Sequence, residues 1–205
     1  KYISYNDNMW RLIPFVKNSV CFTKVSDKKL SYEAAKCLGD FYYYLKDFNS
    51  EKLHETIPDF HNAIKRYNQF KEAISTAKQE RISTSSKMVK KIQKDKKILM
   101  KFDKLNKNLP VRVCHFDTKI SNFLFDTKTN NAKAIIDFDT LMPGTVLSDI
   151  GDMIRTYSNL HGEESSDFKN IKADREIINL IINAFMKRAG NILTEAEKSY
   201  LLFSG

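Results

Sequence analysis

Glycine and proline are scarce in this chain, six and four among 205 residues, and no internal repeat or low-complexity linker interrupts it. With 42% hydrophobic residues, the chain is expected to fold and is long enough for one large domain or two small ones. Cysteine is scarce too. Cys21, Cys37 and Cys114 are odd in number, widely spaced and free of any C-x-x-C pattern, so neither a disulfide framework nor a zinc site is indicated. Three buried thiols are expected instead. No apolar run approaches the roughly 18 residues of a membrane-spanning helix, and no leader-like succession of basic, apolar and small residues opens the chain. A cytoplasmic protein with no membrane partner is the expectation.

What the chain has in excess is lysine. The formal charge of +9 is concentrated between Lys87 and Lys107, where nine lysines face Asp95 and Asp103. Val89, Ile92, Leu99, Phe102 and Leu105 recur there at steps of three and four, with one weak turn at Asp95 and Lys96, which predicts an amphipathic helix with a solvated lysine face. Arginine and exposed aromatics, the side chains suited to groove reading and base stacking, are scarce in this stretch, so a nucleic-acid partner is not expected.

The rest of the pattern is mainly helical. Two short strands, "KYISY" and "MWRLIPFV", flank the turn-prone Asn6-Asp7-Asn8, and Pro14 ends the second. Ser31 is the expected N-cap of a helix from Tyr32 to Phe48, and Pro58 the expected first residue of "PDFHNAIKRYNQFKEAI". After Pro110 the period shifts to strand, loop, strand, the turn "DTKTNN", and strand. Beyond Gly151 the helical pattern returns. Asp174 to Arg188 forms an apolar helix ended by Gly190, and Thr194 with Glu197 makes a capping box. The fold class is therefore mainly α with a small β hairpin insertion, and the chemistry-bearing residues collect in that insertion, residues 111–140.

Phosphoryl transfer needs a carboxylate to orient and deprotonate an acceptor hydroxyl, and oxygen ligands for Mg2+ on the nucleotide phosphates. "HFDTKISN" fits the catalytic-loop pattern H-R-D-x-x-x-x-N with phenylalanine in place of arginine. Asp117 would face the acceptor, Asn122 the metal, and Lys119 between them the transferring phosphate. The hairpin strand "KAIID" then returns Asp137 to the same edge. His115 is expected to be structural, holding the loop by hydrogen bonds. Asp149 and Asp152, at a helix start in "LSDIGDMIR", are also expected to be structural. Two rival motifs lie in "IIDFDTL": D-x-D-x-T of haloacid dehalogenase phosphatases and D-x-D of glycosyltransferases. Both fail on context, because Leu141 stands where the first needs threonine or valine and no alternating strand and helix pattern surrounds either.

"HFDTKISNFLFD", "IIDFDTLMPG" and "DIGDMIR" together resemble the aminoglycoside phosphotransferase and choline kinase superfamily. "LHETIPDFHNAIKRYNQF" and "WRLIPF" resemble its N-acetylhexosamine 1-kinase branch. The resemblance implies a protein-kinase-like α+β fold with ATP and Mg2+ as cofactors. It implies Asp117 as catalytic base, Asn122 and Asp137 as magnesium ligands, Asp149 as the aspartate bracing the catalytic loop, and Asp139 beside the metal or the sugar. Phe116 departs from the polar residue expected after the histidine. The resemblance further implies that residues 1–16 end an N-terminal lobe, with Pro14, Phe15 and Val16 as the hinge that meets adenine. Residues 17–205 would form the helical C-terminal lobe, and the N-terminal lobe that grips the triphosphate would be absent. The expected activity of the complete protein is phosphorylation of the anomeric hydroxyl of an N-acetylhexosamine, a small-molecule sugar partner, with this chain inactive alone. Choline, homoserine or an aminoglycoside as acceptor, or a non-catalytic lysine-rich binding module, are the alternatives.

Overall fold

Asn6 and Asp7 both adopt positive φ, 49° and 57°, the conformation that a tight two-residue hairpin turn demands. They join β1 (Ile3–Tyr5) to β2 (Asn8–Trp10), with Ile3 opposite Trp10. This is a computed structural model and it describes residues 2–159, 161 and 172–205. The second strand stops at Trp10, well short of Pro14: Leu12 and Phe15 are exposed and no further pairing extends the ladder. β3 (Ser19–Val20) instead pairs antiparallel with the later hairpin strand β5 (Phe123–Asp126).

Helix α1 runs from Lys28 to Tyr44, one turn earlier than expected, with Asp27 rather than Ser31 as N-cap. The Asp27 carboxylate accepts the Lys29 N–H at 2.9 Å. The apolar stripe begins at Leu30, so Ser31 lies inside the helix, fully buried, with its hydroxyl unpaired among the described residues. The second expected helix starts late, as α2 (Ala63–Thr76) capped by Asn62, whose side chain accepts the Lys65 N–H at 2.9 Å. Pro58 cannot open it because Asp59 takes φ 59°, a left-handed residue that no right-handed helix can pass through. After the short α3 (Gln79–Thr84), the lysine-rich segment forms one unbroken helix, α4 (Ser86–Asn106). An i,i+4 bridge of 2.7 Å from Lys91 to Asp95 spans the weak point. Val89, Ile92, Leu99, Phe102 and Leu105 are its half-buried side and all nine lysines are exposed.

Strand β4 (Arg112–Cys114) pairs with β7 (Met142–Gly144), and β5 pairs with β6 (Ala132–Ile135) around the expected turn. Among the described residues the expected insertion is thus split between two small sheets, β3-β5-β6 and β4-β7, beside the separate β1-β2 hairpin. The core lies among α1, α5 (Val146–Tyr157) and α6 (Arg175–Ala189). Helices α1 and α6 approach so closely at Gly39 that a Cβ there would lie 2.7 Å from Arg188 Cβ. Next to it the rings of Tyr42 and Phe185 meet edge to face at 5.4 Å. Asp174 caps α6, and the capping box of Thr194 and Glu197 forms and starts α7 (Glu195–Tyr200).

The thiols differ from one another. Cys114 is buried, Cys37 half-buried and Cys21 exposed, because β3 is an edge strand and Cys21 follows directly on it. Burial pushes the Cys37 thiol up to about 11, which leaves it protonated and unreactive at neutral pH. Among the described residues no helix is long and apolar enough to cross a membrane.

Candidate active site

The loop between β4 and β5 is held partly by its own side chains and partly by carboxylates borrowed from α5. One turn of helix separates Asp149 from Asp152, so both point to the same side. Asp149 accepts the His115 N–H on Oδ2 (2.9 Å) and the Phe116 N–H on Oδ1 (2.7 Å). Asp152 accepts the Thr118 N–H at 2.9 Å. The remaining N–H of this run, that of Asp117, donates to His115 Nδ1 at 3.3 Å. Four successive backbone donors are thus satisfied away from solvent, as buried polar groups require. The loop's carbonyls are tied as well: Tyr157 Oη donates to Thr118 O (3.0 Å) and Thr140 Oγ1 to His115 O (2.6 Å).

Burial pushes the Asp149 carboxyl up from its ordinary range, and the His115 and Phe116 N–H groups pull it back. Tyr42 adds a third donor, its hydroxyl 2.9 Å from Asp149 Oδ2. Burial raises the Tyr42 phenol well above its ordinary value, so it keeps the proton it donates.

His115 is fully buried. Because its Nδ1 accepts from the Asp117 N–H, the ring proton lies on Nε2, which donates to Ile136 O at 2.9 Å; this tautomer follows from the hydrogen-bond network. The Ile136 N–H in turn donates to Asn122 O at 2.9 Å. Both backbone groups of Ile136 are therefore fastened to the loop, and Asp137 follows at φ 66°, a left-handed conformation that aspartate tolerates better than most side chains.

Asp117, Lys119 and Asn122 form one group. Lys119 Nζ lies 2.7 Å from Asp117 Oδ2, and Asn122 Nδ2 donates both to Asp117 Oδ2 (2.9 Å) and to Asp117 O (2.8 Å). With its amide nitrogen so used, Asn122 has its carbonyl oxygen to offer a hard cation. Asp137, exposed, offers a carboxylate. Among the described residues no cluster of three or more His, Cys, Asp or Glu side chains could cage a metal. This donor set suits magnesium, which binds through one or two protein oxygens while water and phosphate oxygens fill the other positions.

Asp139 and Val16, also expected at the site, have partners outside this group. Asp139, 78% exposed at its side chain, meets Arg11 at 3.2 Å. Pro14, Phe15 and Val16 lead into β3; Phe15 is 83% exposed, and Val16 O accepts the Ser19 hydroxyl at 2.7 Å.

Phe116 sits at φ 64° with its ring turned into a cleft of about 470 Å3 lined by Phe60, His61, Met142, Gly144 and Ser148 among others. Gly144 admits it, since a Cβ there would come within 2.7 Å of Phe116 Cε2. A second cleft of about 400 Å3 shares Phe60 and His61 and reaches Asp152 and Arg155. Sequence reading missed His61 because "PDFHN" looked like helix rather than a turn presenting one side chain. It also missed Thr140 and the Asp152 contact with Thr118, pairings across tens of residues that no local pattern marks.

A family model, that of the phosphotransferase enzyme family, matches residues 10–169 of the 205. Among solved structures, the chain is similar to a type VIII aminoglycoside-3'-phosphotransferase, with 16% identity over 96% of this chain and 66% of that one and a TM-score of 0.47. It is also similar to an ethanolamine kinase of Plasmodium vivax, with 15% identity over 92% of this chain and 58% of that one and a TM-score of 0.49. The chain thus spans about two thirds or less of the length of these two.

Proposed function

The chain belongs to the phosphotransferase enzyme family, and from that premise we propose that it carries the acceptor and metal side of an ATP-dependent small-molecule kinase acting on the anomeric hydroxyl of an N-acetylhexosamine. The observation that carries the reading is the convergence of Lys119 and Asn122 on Asp117 Oδ2, in a loop whose backbone is held from behind by Asp149 and Asp152. Both bonds reach one oxygen, and Oδ1 is left to take a proton. The acceptor hydroxyl gives its proton to Asp117 as its oxygen forms a bond to the γ-phosphorus; the bond from that phosphorus to the bridging oxygen breaks, and ADP departs.

Positioning supplies most of the rate in such a reaction. Here it rests on the His115 tie to Ile136 and the Asp149 grip, which fix Asp117 relative to Asp137. Lys119 offers a positive charge to the transferring phosphate. Asn122 Oδ1 and Asp137 would hold magnesium, which when bound neutralises phosphate oxygens. The sugar assignment draws on the resemblance of "DFDTLMPG" and "TIPDFH" to the N-acetylhexosamine 1-kinase branch.

The test is ATP consumption by the full-length protein with N-acetylglucosamine, N-acetylgalactosamine, choline, homoserine and an aminoglycoside. Turnover of the two sugars at least about tenfold above the rest supports the assignment, an ordinary margin for a site built to bind one substrate's hydroxyls. A preference for any of the last three overturns it, and no acceptor-dependent turnover of any of them removes the kinase reading.

A further inference from the structure

His61 lines two clefts, one that holds Phe116, the neighbour of Asp117, and one that reaches Asp152, which grips the Thr118 N–H. Its ring stacks on Phe60 at 4.7 Å and meets the edge of Phe116, the residue before the base, at 5.0 Å. Aromatic contacts on two sides fix the plane of the imidazole. Yet among the described residues neither ring nitrogen has a hydrogen-bond partner, although the side chain is half-buried. Helix α2 begins just after it, and the turn at Asp59 is held by Lys65 and Asn62 at 2.7 and 2.8 Å, so a rigid local frame presents the ring. A half-buried ring with fixed orientation and unspent polar atoms is what a substrate-reading residue requires.

We infer that His61 is a specificity-determining residue that hydrogen-bonds a hydroxyl of the acceptor, while Phe60 and Phe116 cover the acceptor's carbon face. The inference rests on the assignment of Asp117 as the base. Burial holds the His61 ring below its ordinary titration range, with Asp152 opposing and Arg155 and Arg66 assisting. The neutral imidazole has one donor and one acceptor, which matches a hydroxyl.

The test uses the full-length protein and its best acceptor. His61→Phe keeps the ring contacts and removes both nitrogens, and should raise the acceptor KM by about tenfold or more while the ATP KM stays within about twofold, the signature of a lost substrate hydrogen bond. His61→Gln should recover part of that loss. Thermal melting checks that both variants fold; if either does not, the wild-type His61 ring signal in an NMR titration replaces the kinetics and should shift with acceptor but not with ATP. An unchanged acceptor KM in a folded His61→Phe, or an unmoved His61 signal, overturns the inference and leaves the kinase reading intact. That reading fails separately, on the wild-type acceptor screen.

Discussion

Asp149 divides its two carboxylate oxygens between consecutive residues of the loop after β4, Oδ2 to the His115 N–H and Oδ1 to the Phe116 N–H. Asp149→Asn turns one of those acceptors into an amide N–H2 that faces a buried donor. Leaving such a donor unpaired costs about 1–3 kcal/mol, or about 2–12 °C in melting temperature for a domain of this size. Turnover should fall further than stability alone explains, by about tenfold or more, because a misplaced base loses proximity. Melting curves and steady-state rates check this together; a melting loss with unchanged kcat would show that the loop does not need the brace.

Asp117 and Asp137 should fail in different ways. Asp117→Asn is expected to lower kcat by about 10²-fold or more with little change in nucleotide affinity, the usual worth of a general base. Asp137→Ala is expected to abolish magnesium-dependent nucleotide binding, because it removes the one carboxylate of the candidate metal site. Nucleotide titrations with and without magnesium separate the two. Near-wild-type turnover in the first, or unchanged magnesium dependence in the second, removes that residue from its role.

Elements set by neighbouring residues were legible in the sequence. The Asn6-Asp7 turn, the Thr194 and Glu197 capping box and the α4 stripe each depend on a few local side chains. The spacing of His115, Asp117, Lys119 and Asn122 also pointed to one loop, and the structure ties them into one network. Competing local signals hid the helix starts. Both Asp27 and Ser31 are good caps, and only the burial of Leu30 chooses between them. Contacts between distant residues that no motif marks were not legible. The grip of Asp152 on Thr118 and the ring of His61 against Phe116 need the tertiary fold to exist before they can form.

A pH dependence follows from Glu197. Burial alone would push its carboxyl up, but two hydrogen bonds from Arg112, 2.6 and 2.9 Å long, and the Thr194 N–H hold it below its ordinary value of 4.5. A depressed carboxylate adds stability that is fully present above about 4.5 and is lost as pH falls through the folded value. Glu197→Gln should therefore cost about 2 kcal/mol at neutral pH, a paired buried charge lost while a polar side chain remains. The gap between wild type and variant should close as pH falls below about 4.5. Melting temperatures of both proteins between pH 7 and 3 measure it, and a gap independent of pH would mean the carboxylate carries no charge-dependent stability.

A side chain at position 144 would collide with the Phe116 ring. A Cβ at position 144 would stand 2.7 Å from Phe116 Cε2 and 3.3 Å from Cys114 Sγ. Phe116 has an anchored backbone. Its N–H is held by Asp149 at 2.7 Å, its backbone is already at φ 64°, and its ring edge meets His61 at 5.0 Å. Gly144→Ala should then cost about 1–3 kcal/mol, the usual penalty of overpacking a well-filled site, and should also slow turnover, because any movement of Phe116 carries Asp117 with it. Phe116→Ala provides the control: it empties the space the new methyl needs, so Gly144→Ala in that background should cost less than about 0.5 kcal/mol, a coupling between neighbours that shared packing produces. Thermal melts of the four proteins give the coupling directly. An equal cost of Gly144→Ala in both backgrounds would show that the methyl meets something other than the Phe116 ring.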